Sequence, residues 1–151
     1  MNKIEVLISK LTKDHQEALR WFNENKNKKI KGWPKDASLK YLLVCKPKGI
    51  YKPKDSKYAL SVRSSLKGPY DDKVLSYDDG SFKLKYFQEN LDTRRRDLEY
   101  TNRAITNNIN DVVPVGILVQ LKPKPNTEYK VLGLGIVKKW EKGFFYIREL
   151  A

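Results

Sequence analysis

Residues 67–88 read KGPYDDKVLSYDDGSFKLKYFQ, which gathers four aspartates and three tyrosines into a chain of formal charge +13. Alternation decides the second half of this stretch. SFKLKYFQ places Phe82, Leu84 and Tyr86 on one face of a strand and Lys83, Lys85 and Phe87 on the other, so Tyr86 points inward with two core candidates. The first half is turn chemistry. Gly68 and Pro69 leave Tyr70 and the two acids after it at a loop or strand entrance, where polar groups can be aimed. Gly80 after Asp79 has the character of a hairpin turn, so DDG is read as a turn without a ligand role.

Working outward, the chain shows short β-rich runs between turn residues: YLLVCK, YALSVRSS, KVLSY, SFKLKYFQ, VPVGILVQL, YKVLGLGIVKKW and FFYIREL. One helix interrupts them, roughly Asp97 to Asn108, with Leu98, Thr101 or Asn102, and Ile105 on one side. Six or seven strands with a single helix between the fourth and fifth predict an α+β fold built on a small closed or nearly closed β-barrel. The N-terminal part differs. Ile4, Leu7, Ile8 and Leu11 recur at helical spacing, and Thr12 or Asp14 can cap a second helix that carries Ala18, Leu19 and Phe22 on one face and fades near Lys26. NKNKKIKGWPKD follows, lysine-rich and broken by Gly32 and Pro34, and reads as a basic linker or DNA-facing loop. Residues 1–38 are therefore expected as a helical extension and linker, and residues 39–151 as the β domain.

At 151 residues, with 40% hydrophobic side chains and nine Tyr, five Phe and three Trp, the chain can bury a core without a covalent staple. Cys45 is alone. An internal disulfide and a multi-cysteine zinc site are excluded, and its place in YLLVC suits burial in a protein of a reducing cytoplasm. No apolar run approaches a membrane span, and MNKIEVLISKLTKDH threads charges through its apolar residues, so neither export nor embedding is expected. The 31 Lys and Arg against 18 Asp and Glu exceed what solubility asks and point to a polyanionic partner, first of all nucleic acid.

Catalytic signals are few. His15 is the single histidine, so no Ser/His/Asp triad, HNH centre or two-histidine metal site can form, and its helical context reads as a surface position. There is no phosphate-binding GxxxxGK[ST] loop, and the GLG of LGLGIV lies within a strand pattern. No cofactor or resident metal is expected. Asp111, Glu128 and Lys130 have the residue types of a magnesium nuclease, and form the weakest of three functional readings. Tyrosines beside carboxylates at a concave place suit a flat heterocycle better: rings stack on its faces while an acid accepts from its exocyclic amine, as cytosine would require.

The same residues carry a family resemblance. KGPYDDKVLSYDDGSFKLKYFQ, followed after a gap by TNRAI, resembles the SET- and RING-associated (SRA, or YDG) domain, whose pattern runs Gly-Gly-Tyr-acid-Asp-Asp, a Gly-aromatic strand ending in Tyr-Thr, then Thr-Asn-Arg-Ala. KPKGIYKPKDSKYALSVRSSLKGPYDD is similar to the bacterial version at the front of McrA-like, modification-dependent HNH restriction endonucleases. The resemblance spans about Lys46 to Gln120, extends loosely to Leu150 and leaves the first 38 residues outside. It implies a PUA-like barrel that flips a modified cytosine, 5-methylcytosine or 5-hydroxymethylcytosine, out of double-stranded DNA. By motif position Tyr70 and Tyr86 would sandwich the base. Asp71 and Asp72 are the candidates for reading its edge, Asp72 favoured, because Lys73 stands where the family has a further acid. Ser61 joins the pocket candidates. Lys46, Lys48, Lys52, Lys54, Arg63 and Lys67 would hold the DNA backbone, and Arg103 of TNRA would steady the loop or reach a phosphate. The implied role is the reader of a restriction system acting in phage defence, with cutting left to a nuclease domain or subunit elsewhere. The remaining alternative is a PUA-like binder of RNA.

Overall fold

The computed structural model describes residues 3–36, 38–44, 49–64, 73–76, 82–87, 100–123 and 125–150. The predicted helical start is present. Helix α1 (Lys3–Ile8) is joined to α2 (Lys13–Glu24), and Thr12 is the N-cap, its hydroxyl accepting from the His15 amide at 3.3 Å. Arg20 of α2 donates to both carboxylate oxygens of Glu5, at 3.1 and 2.6 Å, and so ties the two helices together.

The strands among the described residues are β1 (Lys29–Lys31), β2 (Ile50–Tyr51), β3 (Ser61–Ser64), β4 (Lys73–Ser76), β5 (Phe82–Phe87), β6 (Val115–Lys122), β7 (Glu128–Glu141) and β8 (Phe144–Glu149), with α3 (Tyr100–Asp111) between β5 and β6. Their order is β2-β3-β6-β7-β8-β5-β4, with β1 added to β7. The class is α+β, as expected. Closure differs from expectation: β2 and β4 stand at the two ends of the path and are not paired with each other, so the described sheet is open. Two local readings change as well. Residues 41–44 of the expected strand YLLVCK form bends, and the stretch read as a linker holds β1, whose Lys29, Ile30 and Lys31 pair with Lys130, Tyr129 and Glu128. Lys26 also pairs with Glu149, so the N-terminal residues are built into the sheet.

The sheet has an apolar layer on each face. Ile8, Leu11, Ala18, Leu19 and Phe22 pack with Leu118, Tyr129, Val131 and Leu134, whereas Phe82, Leu84, Tyr86 and Ile105 pack with Val115, Ile117, Val137, Phe145 and Ile147. Strands β6 and β7 serve both layers, which is why VGILV and KVLGLGIV read as nearly continuous apolar runs. Between Ile117 and Leu118 of β6 the pairing partner on β7 jumps from Gly133 to Val131, and Gly133, at φ 108°, takes up the bulge. Gly116 lets α2 dock closely, because a Cβ there would overlap the Phe22 ring.

Strand β3 pairs with β6 in parallel, although the neighbouring pairs are antiparallel. Its register is set by a buried side chain. Asn108 of α3 accepts from the Ala59 amide at 2.8 Å and donates to the carbonyls of Ala59 at 3.0 Å and Val113 at 3.1 Å, just ahead of the first β3–β6 pair, Ser61 with Gly116. Among the described residues no helix is long and apolar enough to cross a membrane.

His15 is a correction. It is only 1% exposed, facing Tyr41 edge-on at 6.2 Å with Ser56 Oγ 3.4 Å from Nδ1, while Nε2 has no hydrogen-bond partner. Burial pushes its pKa down from 6.5 to about 4, against the opposing charge of Asp55. A depressed pKa means that the unfolded chain binds a proton between pH 6.5 and 4 that the folded chain refuses, so stability falls as pH is lowered through this window.

Urea unfolding at pH 7 and pH 5 should show the wild type losing about 2 kcal/mol more than His15→Gln over that interval; equal losses would remove the histidine from the account. Asn108→Ala, which strands buried backbone groups of Ala59 and Val113, is expected to cost about 2–4 kcal/mol, and Gly116→Ala about 1–3 kcal/mol through overpacking against Phe22.

Candidate nucleic-acid interface

Tyr86 is held by the inward face of β5, where Phe82 and Leu84 are also buried and Lys83 is exposed, as the alternation predicts. The ring is 7% exposed and packs in the layer that contains Ile50, Val62 and Phe145. Its hydroxyl end meets backbone. A Cβ built on Gly49 would overlap the Tyr86 hydroxyl and stand 3.0 Å from Cζ and 2.9 Å from the Arg63 carbonyl oxygen, so only glycine leaves this tyrosine its place. The Arg63 amide donates to the Gly49 carbonyl at 2.7 Å, binding that segment to β3. Three strand ends therefore meet near the Tyr86 hydroxyl: the approach to β2, the end of β3, and β5 where Lys85 pairs with Lys73, the first residue of β4.

The structure separates the other pocket candidates. Alternation along β3 sets Val62 and Ser64 on the Tyr86 side and Ser61 and Arg63 on the other. Ser61 is fully buried and donates to the Leu43 carbonyl at 2.7 Å, in the layer of α1 and α2. Ser64, which the sequence reading passed over, is buried on the Tyr86 side at the last position of β3. Tyr70, Asp71, Asp72, Lys46, Lys48 and Lys67 lie outside the described residues.

The cations expected on DNA divide by what they touch. Lys52 donates to the carbonyls of Pro53 at 2.9 Å and Ser56 at 2.7 Å, and so holds the turn that brings Ser56 to His15. The Arg63 guanidinium lies 4.8 Å above the Trp33 ring. Lys54 and Arg103 are exposed. In α3 the TNRA segment buries Thr101, Asn102 and Ala104 and turns Arg103 outward. Gly49 and Trp33 were missed from sequence. A glycine just before an apolar strand signals a close backbone approach and could have flagged Gly49; nothing local marks Trp33.

The residues of the nuclease reading have other partners. Tyr58 donates to Asp111 at 2.5 Å, which holds that carboxyl below its ordinary pKa, and Lys57 lies 3.8 Å away. Glu128 pairs with Lys122 at 3.6 Å. Among the described residues no three of His, Cys, Asp or Glu stand together as a metal site.

No protein-family model matches the chain, and no curated protein does. Among solved structures it is similar to the SUVH5 SRA domain in complex with fully methylated CG DNA, with 25% identity and a TM-score of 0.48 over 68% of this chain and 74% of that one. A SUVH5 SRA complex with methylated CHH DNA gives 26% identity and 0.48 over 68% and 73%. KRYPTONITE in complex with mCHH DNA, an H3(1–15) peptide and SAH gives 23% identity and 0.47 over 68% of this chain and 27% of that one.

Gly49→Ala should lower the unfolding midpoint by crowding Tyr86, and the added change Tyr86→Phe, which removes the overlapping oxygen, should recover part of the loss. The double-mutant cycle reads this coupling directly; strictly additive effects would place the two residues out of contact.

Proposed function

We propose that this chain is a reader of modified cytosine in double-stranded DNA, an SRA-type module that takes the base out of the helix and holds it against Tyr86. The observation that carries the reading is the Tyr86 hydroxyl end seated on the Gly49 backbone, where β3 stops at Ser64 and β4 starts at Lys73. The eight positions between those strands, 65–72, include the KGPYDD motif. In this reading Tyr70 supplies the second ring and Asp72, or Asp71, accepts from the cytosine amine. Ser64, on the Tyr86 side of β3, takes the polar pocket position first given to Ser61.

The chemistry is consistent with the charge balance. Extrusion costs a few kcal/mol of pairing and stacking, which ring contacts and edge hydrogen bonds must offset, so acids belong inside the pocket. Cations outside then hold the phosphates, Lys46, Lys48, Lys54, Lys67 and Arg103 being the proposed contacts. The described sheet would form part of a PUA-like barrel. As the reader of a modification-dependent restriction system, the module would direct a nuclease domain or subunit that does the cutting, in the manner of the bacterial McrA-like enzymes.

Gel shifts with duplexes carrying 5-methylcytosine, 5-hydroxymethylcytosine or plain cytosine, alongside RNA, test the reading. One modified duplex should bind best; equal binding to all DNA, or tighter binding to RNA, would overturn it. Tyr70→Ala and Tyr86→Ala should each abolish the preference, stacking being worth about 1–3 kcal/mol per base, and leave weak salt-sensitive binding. Magnesium-dependent nicking of supercoiled plasmid would instead revive Asp111, Glu128 and Lys130 as a catalytic set.

A further inference from the structure

The outward face of β5, β8 and the end of β7 has a composition that the pocket does not account for. Lys83 and Lys85 project from β5 on the side opposite Phe82, Leu84 and Tyr86. Next to them Tyr146 and Arg148 stand on β8, with Phe145 and Ile147 buried between and behind. On β7 the register slips between Val137 and Lys139, so that Lys138 and Lys139 are both exposed. Lys83, Lys85, Lys138, Tyr146 and Arg148 line an open groove of about 500 Å³.

Two details show that the cations are placed and not merely dispersed. The Lys85 ammonium lies 4.2 Å from the centre of the Phe144 ring and 5.8 Å from that of Tyr146, and the Lys139 ammonium 4.8 Å from the Tyr146 centre. Rings thus hold two flexible side chains over the sheet. Lys83 is also the direct cross-strand partner of Arg148, so two cationic side chains stand side by side on this face. Glu141 lies 3.2 Å from Lys139 at the edge of this face.

From this arrangement we infer a second DNA contact: the outward face of β5–β8–β7 binds the phosphodiester backbone of a duplex segment other than the one whose base is read at Tyr86. Charge complementarity identifies a polyanion. The ring faces are covered by ammonium groups, which disfavours base stacking and therefore a single strand, and favours backbone contact with a duplex. Because Tyr86 and Lys85 are neighbours on β5 with opposite orientations, the two contacts use opposite sides of one strand. A protein so built would bridge two duplex segments. The inference borrows from the proposed function only the choice of DNA as the polyanion.

The test is the triple variant Lys83→Ser/Lys85→Ser/Arg148→Ser, with Lys83→Arg/Lys85→Arg/Arg148→Lys as the charge-retaining control. Binding to an unmodified duplex is measured by anisotropy over a salt series, and bridging by capture of a labelled duplex on an immobilised one. Each lost phosphate contact removes about 0.9 from the slope of log affinity against log salt, so the serine variant should lose about 2–3 and the control nothing. Bridging should disappear in the serine variant alone, while any preference for modified over plain cytosine persists. An unchanged slope with bridging intact in a variant of wild-type circular dichroism overturns the inference, as does a slope change confined to single-stranded DNA or RNA. A serine variant without wild-type circular dichroism shifts the reading to wild type and control, which must then bridge two duplexes, and failure to do so overturns it equally. Loss of the modified-base preference in the wild type would refute the pocket reading and leave this one standing.

Discussion

The carboxamide of Asn108 stands where three backbone groups would otherwise be buried without partners: the amide and carbonyl of Ala59 and the carbonyl of Val113. An amide side chain can donate and accept at once, so it imitates a strand for one residue and joins two segments before their own ladder begins. The parallel pairing of β3 with β6 follows directly, Ser61 opposite Gly116 through Ser64 opposite Val119. Parallel pairing needs a long crossover, here the chain that makes β4, β5 and α3, and its closure by one buried side chain fixes where α3 lies. The end of β3, and with it the floor beside Tyr86, inherits its position from that contact.

A sheet with an apolar layer on both faces gives each strand two allegiances. Strand β7 is the clearest case: Tyr129 and Val131 face the layer of α1 and α2, and after the bulge at Gly133 the assignment continues with Leu134 on that side and Val137 on the other. The bulge lets fourteen residues serve β1 and β6 at one end and β8 at the other. Strand β5 is different, because only its Tyr86 side meets the core. Its other side carries lysines, so one strand presents an aromatic ring inward and positive charge outward. This division sets the proposed pocket and the outer cationic face on opposite sides of one strand.

The excess of positive charge is also not uniform in what it does. Lys52 satisfies carbonyls in a turn, Lys26 pairs with Glu149, Arg20 with Glu5, and Arg63 covers Trp33. These side chains hold the fold. Lys54 and Arg103, by contrast, are exposed. Nearness in sequence to the YDD motif does not by itself say what a cation touches, since a long side chain spends its charge on whatever acceptor the fold brings near, as Lys52 does in its turn.

Much was legible without coordinates where the signal is local. Helical spacing and a capping threonine located α1 and α2, and period-two alternation placed Phe82, Leu84 and Tyr86 inside and Lys83 outside, because each depends on residues within a few positions of one another. The partners that arrive from far along the chain were not legible. His15 reads as a surface residue until Tyr41 and Ser56 cover it; KIK at 29–31 has no strand pattern of its own and becomes β1 only by pairing with β7; Ser61 and Tyr86 read as candidates for one pocket until the alternation of β3 turns the serine to the opposite layer. The sequence by itself determined the α+β class, the net charge and the orientation of Tyr86, all properties of composition and period. Tertiary structure alone decided the order of the strands, the seat of Tyr86 on Gly49 and the clustering of cations on the outer face, because those rest on contacts between segments whose meeting no local pattern encodes.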